Sequence, residues 1–218
     1  MSILQHTLGM KRGAFIVIDG MGGAGKTTQL GFLRERLGKS AHFAHEPGGT
    51  ARAEAIRTLL LRDYDGIDNP LADFFLFWAA RAEHMKEVII PMLEKGMHVV
   101  SDRLDSSTFA FQIRAAERPE FMELFWRCRE MVLAEYAPDL YIILDLPSDI
   151  AEKRRRKRHT GEDRFDEKDE AFQGRVIDGF KEFVQLPGIN GIVVDANRPP
   201  EKVDEDLWRL VEPLVLRR

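Results

Sequence analysis

The chain has one cysteine, Cys128, which excludes an intrachain disulfide and any zinc site built on paired cysteines. It reads as a small helix residue. Long hydrophobic runs are missing too: a bilayer span needs roughly 18 to 20 apolar residues, and the longest aromatic stretch is Phe74 to Ala80. No membrane helix is expected. Lys11 and Arg12 follow a polar, mixed stretch rather than preceding an apolar segment. Residues 1–12 therefore read as a flexible N-terminus and not a secretory signal, and the expected location is cytoplasmic. An excess of positive charge is also lacking, because 32 Lys and Arg stand against 36 Asp and Glu for a net charge of −4. That balance argues against a nucleic-acid binder with a globally basic surface. There is no internal repeat, low-complexity linker or break in composition, so residues 1–218 are expected to form a single domain.

What is present is the composition of an ordinary soluble globule, 44% hydrophobic and 31% charged. Short β-branched runs alternate with longer amphipathic ones, the pattern of a parallel sheet flanked by helices. The expected strands are Ala14 to Ile18, Ala41 to His45, His98 to Ser101, Leu140 to Leu144 and Gly191 to Val194. Crossover helices fit Lys26 to Leu37, Ala51 to Leu61, Leu71 to Lys95 and Phe121 to Tyr136, with Pro91 kinking the third. Ser148 can cap a further helix, and two more helical patterns cover Lys168 to Val184 and Pro200 to Leu216.

The strongest chemical signal is Gly20-Met21-Gly22-Gly23-Ala24-Gly25-Lys26-Thr27, followed by Thr28. It satisfies G-x-x-x-x-G-K-[ST] between an expected strand and an expected helix. Glycines let the loop turn its N–H groups inward onto phosphate oxygens, the helix N-terminus adds partial positive charge, Lys26 neutralises the β- and γ-phosphates, and the Thr27 hydroxyl can ligate Mg²⁺. The same residues contain the dinucleotide fingerprint Gly20-x-Gly22-x-x-Gly25, with Glu46 at the end of the next strand. Lys26 and Thr27 decide between the two. A dinucleotide site approaches its pyrophosphate with bare backbone, whereas a triphosphate with Mg²⁺ uses both a cation and a hydroxyl.

Three further clusters lie where ligands bind in an open α/β sheet. Glu46-Pro47-Gly48-Gly49-Thr50 ends the second strand, and is alternatively a tight turn with Thr50 as the N-cap of a helix. Phe77 and Arg81 stand at i, i+4, where a ring can stack on a base and a guanidinium can bond its edge; the same pair also fits a core aromatic beside a surface arginine. Asp102 and Arg103 follow the third strand, ahead of Ser107, Thr108 and Gln112. There a carboxylate can hold metal-bound water, an arginine a phosphate and an amide a base edge, although Asp-Arg is also a common structural ion pair. A local anomaly completes the inventory: Lys153 to Arg158 is a run of cations followed by the acidic stretch Glu162 to Glu170. A solvated helix face or a nucleic-acid patch is the alternative reading of that run.

In this order the clusters resemble the thymidylate kinase family of nucleoside-monophosphate kinases over nearly the whole chain. The matching stretches are Phe15 to Gln29, Glu46 to Thr50, Phe77 with Ala79 to Arg81, Asp102-Arg103, Ser107 to Gln112, Leu144 to Pro147, Asp163-Arg164-Phe165 with Phe172, and Asp195-Ala196. The resemblance implies an α/β fold of P-loop kinase type, a five-stranded parallel sheet flanked by helices. It implies a homodimer that moves the γ-phosphoryl of Mg·ATP onto dTMP to give dTDP. Carried over, Phe77 stacks on thymine, Arg81 and Gln112 bond its polar edge, Arg103 grips the acceptor phosphate, Glu46 and Ser107 line the acceptor side, and Asp102 sits near the metal. Residues 153–167 match the family's mobile LID, with Arg158 as the nearest match to its catalytic arginine and Arg155, Arg156 and Arg164 as alternatives. Two positions depart from the family pattern: Gly22 stands where an acidic residue is common, and His45 where arginine usually precedes Glu-Pro-Gly-Gly-Thr. Leu104 also replaces a common aromatic. These changes fall on the acceptor side, which keeps two other readings open: a kinase for a different or modified pyrimidine monophosphate, and a P-loop ATPase with a nucleic-acid-binding basic segment. No Asn-Lys-x-Asp motif is present, which disfavours a GTPase.

Overall fold

The computed structural model describes residues 12–62, 69–157, 164–165 and 167–216. Strand β1 (Phe15–Asp19) is buried at every position and lies at the centre of a sheet ordered β2-β3-β1-β4-β5. Helix α1 (Lys26–Leu37) leads to β2 (Ala41–His45), and α2 (Ala51–Leu61) and α3 (Pro70–His84) follow. Then come a π-helical turn (Met85–Ile89), the short α4 (Ile90–Glu94) and β3 (His98–Asp102). Helix α5 (Asp105–Thr108) continues as a second π-helical stretch (Phe109–Ala115). The chain completes with α6 (Met122–Leu133), β4 (Leu140–Asp145), α7 (Ser148–Lys157), α8 (Glu170–Phe183), β5 (Gly191–Asp195) and α9 (Pro200–Leu216). All four strand pairings are parallel. A parallel sheet needs helical crossovers that cover both faces, and the continuous apolar character of β1 and β4 follows from burial on both sides.

The expected long helix over Leu71 to Lys95 is divided, and Pro91 is the cause. A proline removes one N–H from the ladder and its ring presses on the carbonyl four residues back, so the chain widens into a π-turn just before it and resumes as α4. The segment expected as a helix from Phe121 to Tyr136 is α-helical over Met122–Leu133, with a tighter 3-10 turn at each end. The helix from Asp105 to Ala115 was not expected. Its Asp-Ser-Ser-Thr start favours caps and turns, and its helical state depends on tertiary bonds described below. Four strands extend one residue past the expected end, each to an aspartate: Asp19, Asp102, Asp145 and Asp195. The four carboxylates mark the C-terminal edge of the sheet, the edge at which open α/β sheets bind ligands.

Candidate active site

Gly20 and Gly25 take left-handed backbone, and a β-carbon on Gly20 would come within 2.6 Å of the Leu144 carbonyl oxygen. One on Gly23 would meet the Ala151 carbonyl of α7 at 2.5 Å, so side chains are excluded where the loop passes beneath β4 and α7. Helix α1 starts directly at Lys26 with no acidic residue in its first turn, which leaves the positive end of its dipole for an anion. The Lys26 ammonium is buried and donates to the carbonyls of Gly20 at 2.8 Å and Met21 at 3.1 Å. Thr27 and Thr28 are exposed at the mouth of the loop. Ala24, Gly25, Thr28, Arg154, Ala196 and Arg198 line a depression of about 260 Å³ on the α9 side of this loop.

On the other side of Lys26 lies a cavity of about 380 Å³. Among the expected site residues, Lys26, Glu46, Phe77, Asp102, Arg103, Ser107 and Gln112 line it. One wall is aromatic: the Phe77 and Phe165 rings stand 6.0 Å apart and Phe111 lies 5.9 Å from Phe165. Arg57, Arg103 and Lys26 line the cavity too, with the Arg103 guanidinium 5.7 Å from the Phe111 ring centroid. Aromatic rings beside cationic side chains suit a planar base joined to an anion.

Asp102 contributes a buried Oδ1 with no hydrogen-bond partner among the described residues. An orphaned carboxylate oxygen facing a phosphate loop fits a cation or its bound water. No group of three or more metal-ligating side chains forms among the described residues, so any cation here would take most of its ligands from phosphate and water, as Mg²⁺ does.

Arg81 does not line the cavity. It is buried in the wall, where Nε donates to Glu46 Oε2 at 2.8 Å and the terminal nitrogens reach the Leu104 carbonyl at 2.9 Å and Thr108 Oγ1 at 3.2 Å. Its guanidinium also lies 4.6 Å from the Trp78 ring centroid. The i, i+4 spacing is real, but the helix buries the face carrying Phe74, Trp78 and Arg81 and turns Phe77 toward the cavity. Arg81 thereby holds Glu46 rather than presenting itself to the cavity. The Glu46–Pro47 peptide is cis, Thr50 caps α2 by accepting from the Ala53 N–H at 3.1 Å, and Glu54 of α2 accepts from the Gly49 N–H at 2.8 Å and contacts His45 at 2.9 Å. The Gly49 N–H foremost, and then His45, hold the Glu54 carboxyl below the ordinary glutamate value.

Of the basic run, residues 153–157 are the last turns of α7; Arg158 lies outside the described residues. Arg155 reaches the P-loop, donating to the Gly22 carbonyl at 3.2 Å, and Arg154 donates to the Ala196 carbonyl at 3.4 Å. Lys153 pairs with Asp149 and Arg156 with Glu152 on the exposed face. Arg164 anchors the segment beyond the run by bonding the Leu60 carbonyl and Asp73, which brings Phe165 over the cavity.

Sequence reasoning missed Asp19, Arg57 and Phe111 at this site. Arg57 sits in a helix with no motif around it; Phe111 lies inside the Ser107 to Gln112 stretch and Asp19 immediately precedes the P-loop, and those positions were the available signals.

The fold and this paired arrangement, a P-loop facing an acceptor cavity across a lysine, define a P-loop nucleoside-monophosphate kinase. The thymidylate kinase family description matches residues 18–207. The chain is 36% identical to the thymidylate kinase of Hahella chejuensis over 89% of its own length and 93% of the relative's. It is 34% identical to that of Nitrobacter hamburgensis (96% and 92%), and 36% identical to that of Pseudomonas fluorescens (94% and 98%). The chain belongs to the thymidylate kinase family, and it is a phosphotransferase.

Proposed function

We propose that the protein transfers the γ-phosphoryl group of ATP to dTMP, with the triphosphate on the P-loop and dTMP in the cavity lined by Phe77 and Arg103. The observation that carries this reading is the cavity itself, which Phe77, Phe111 and Phe165 line together with Arg57, Arg103 and the P-loop Lys26. Phe77 stacks on the thymine, Gln112 bonds its polar edge and Arg103 takes the acceptor phosphate. Glu46 and Ser107 complete the acceptor side, and Arg81 acts there through Glu46. Gly20 to Gly25, Lys26, Thr27 and Thr28 bind the ATP phosphates, and the depression between Thr28 and Ala196 suits its base.

Thr27 and Asp102 are the residues that would hold Mg²⁺. The ion would neutralise charge on the phosphate oxygens when bound. An arginine of the basic run joins Lys26 in stabilising the transferring group. Arg155 is the better supported by its contact with the P-loop, and Arg158 is the alternative. The chain acts as a single kinase domain; of the proposed LID, residues 153–167, positions 158–163 and 166 lie outside the described residues. No helix among the described residues is long and apolar enough to cross a membrane, in keeping with a cytoplasmic location. A homodimer is supported by apolar side chains exposed on α2, α3 and α6, namely Leu59, Leu71, Phe75 and Met131.

A coupled assay across all nucleoside monophosphates, with and without Mg²⁺ and with and without DNA, tests the reading. dTMP is expected to be the preferred acceptor, dUMP slower, and purine monophosphates lower by about 10⁴-fold, because a site that bonds a pyrimidine edge leaves buried polar groups unpaired with another base. Equal turnover of a purine monophosphate, or stimulation by DNA, would overturn it.

A further inference from the structure

Asp19 ends β1 with no exposure to solvent, directly beneath the junction of the P-loop and the acceptor cavity. A fully buried carboxylate is tolerated only when it is paired and hydrogen-bonded, and this one is bonded from both sides of the site. Its Oδ1 accepts from the Gly20 backbone N–H at 2.8 Å, the first residue of the P-loop, and from Arg103 Nη1 at 3.0 Å. Its Oδ2 accepts from the Ser106 hydroxyl at 2.6 Å. The Ser107 hydroxyl lies 3.0 and 2.9 Å from the two oxygens and accepts from Arg103 at 3.0 Å. Arg103 itself sits on left-handed backbone, with φ 71°, its carbonyl tied to the Ser101 hydroxyl at 2.7 Å. A non-glycine residue in that region persists where its surroundings over-determine it, and Asp19 is the charged part of those surroundings.

We propose that Asp19 is a positioning residue for phosphoryl transfer: it holds Arg103 and Ser107 on the acceptor side and Gly20 on the donor side to one carboxylate, and so sets the distance between the two halves of the site. The proposal rests on the acceptor reading of the cavity. Two opposite effects follow. Turnover depends on the in-line placement of donor and acceptor, where a displacement near 1 Å costs about 10²-fold. Binding of the monophosphate, in contrast, is opposed by Asp19, because its negative charge already engages the guanidinium that the acceptor phosphate must share.

The test uses the full chain in five forms: wild type, D19N, R103A, D19N/R103A and S106A. For each, the dTMP dissociation constant is measured by calorimetry, kcat by the coupled assay, and folding by thermal unfolding. D19N is expected to bind dTMP at least as tightly as wild type while kcat falls at least about tenfold. R103A is expected to weaken dTMP binding, and the double variant to have the kcat of R103A, since the two side chains act as one unit. S106A removes one anchor of Asp19 without touching the cavity. It is expected to lower kcat several-fold, at a margin of about threefold or more, with dTMP affinity unchanged, and it decides the question if D19N does not fold. A D19N kcat within twofold of wild type, a loss of dTMP affinity equal to that of R103A, or additive effects in the double variant would overturn the proposal while leaving the acceptor reading intact. A wild-type protein that does not bind dTMP would overturn both.

Discussion

At the residue scale the proposed site is divided between groups that line the P-loop and cavity and groups buried behind them. Lys26 belongs to the first kind. Its partners include two carbonyls of its own loop, which water can replace, and Lys26→Ala is expected to abolish transfer while the apo protein unfolds within a few degrees of wild type. The stabilisation normally produced by ATP should vanish in the same thermal scan. Arg81 belongs to the second kind. It is buried against Glu46, Thr108 and Trp78, and Arg81→Ala leaves the Glu46 carboxylate buried without its cation, a loss of about 3 to 5 kcal/mol in a denaturant titration. Lysine should not rescue it, since one ammonium cannot reproduce the fork that spans Glu46, Thr108 and Leu104.

At the element scale, α7 and the turn before α2 control the approach of charge to the site. The basic run is one end of α7, and of its cations Arg155 is directed at the P-loop carbonyl of Gly22. An arginine brought to a transferring phosphoryl group is worth about 10³ to 10⁵ in turnover. Arg155→Ala is therefore expected to lower kcat at least about 10²-fold with little change in dTMP affinity, measured beside Arg156→Ala as the exposed control. Unchanged turnover in Arg155→Ala would return the catalytic role to another cation of the run. The turn at Gly48 and Gly49 is tied to α2 through Glu54. Because that carboxyl is held below its ordinary value, its contribution is fully present above the ordinary glutamate range and is lost as the pH falls through the depressed value. The group is half exposed, so the effect on global stability is small. It should appear as a small loss of stability on acidification below the ordinary glutamate range, a loss that E54Q no longer shows in thermal unfolding.

At the scale of the whole molecule, four strands of the sheet end in aspartates along one edge while α3 and α6 expose apolar side chains. Met131 is 82% and Phe75 51% exposed, and the homodimer proposed above would cover them. Phe75→Asp with Met131→Asp is expected to shift sedimentation to the monomer without unfolding the protein; an unchanged oligomer would move the interface elsewhere. Beneath this surface the core is anchored by one polar cluster, in which Tyr141 of β4 donates to Asp105 at 2.6 Å and Arg129 of α6 donates to the same carboxylate at 2.8 Å. These bonds tie the start of α5 to the sheet and so place Ser106 and Ser107 under the site.

Sequence alone determined the P-loop, the parallel α/β arrangement and the order of the acceptor clusters, because each is encoded within a few neighbouring residues: glycine spacing, apolar runs, and motifs at strand ends. It placed α1, α2, β2 and α9 at their observed boundaries, where a helix pattern begins and stops without competition or, for β2, where a short segment ends at Glu46-Pro47. The helix at Asp105 was illegible since its local preference is for turns, and the bonds from Arg129, Tyr141 and Asp19 that hold it come from residues 24 to 88 positions away. The same holds for Arg81, whose spacing with Phe77 was readable but whose burial against Glu46, 35 positions earlier, was not. Tertiary structure decided which side chains face ligand and which stand behind them, because that choice depends on what the other strands and helices bring to the same edge of the sheet.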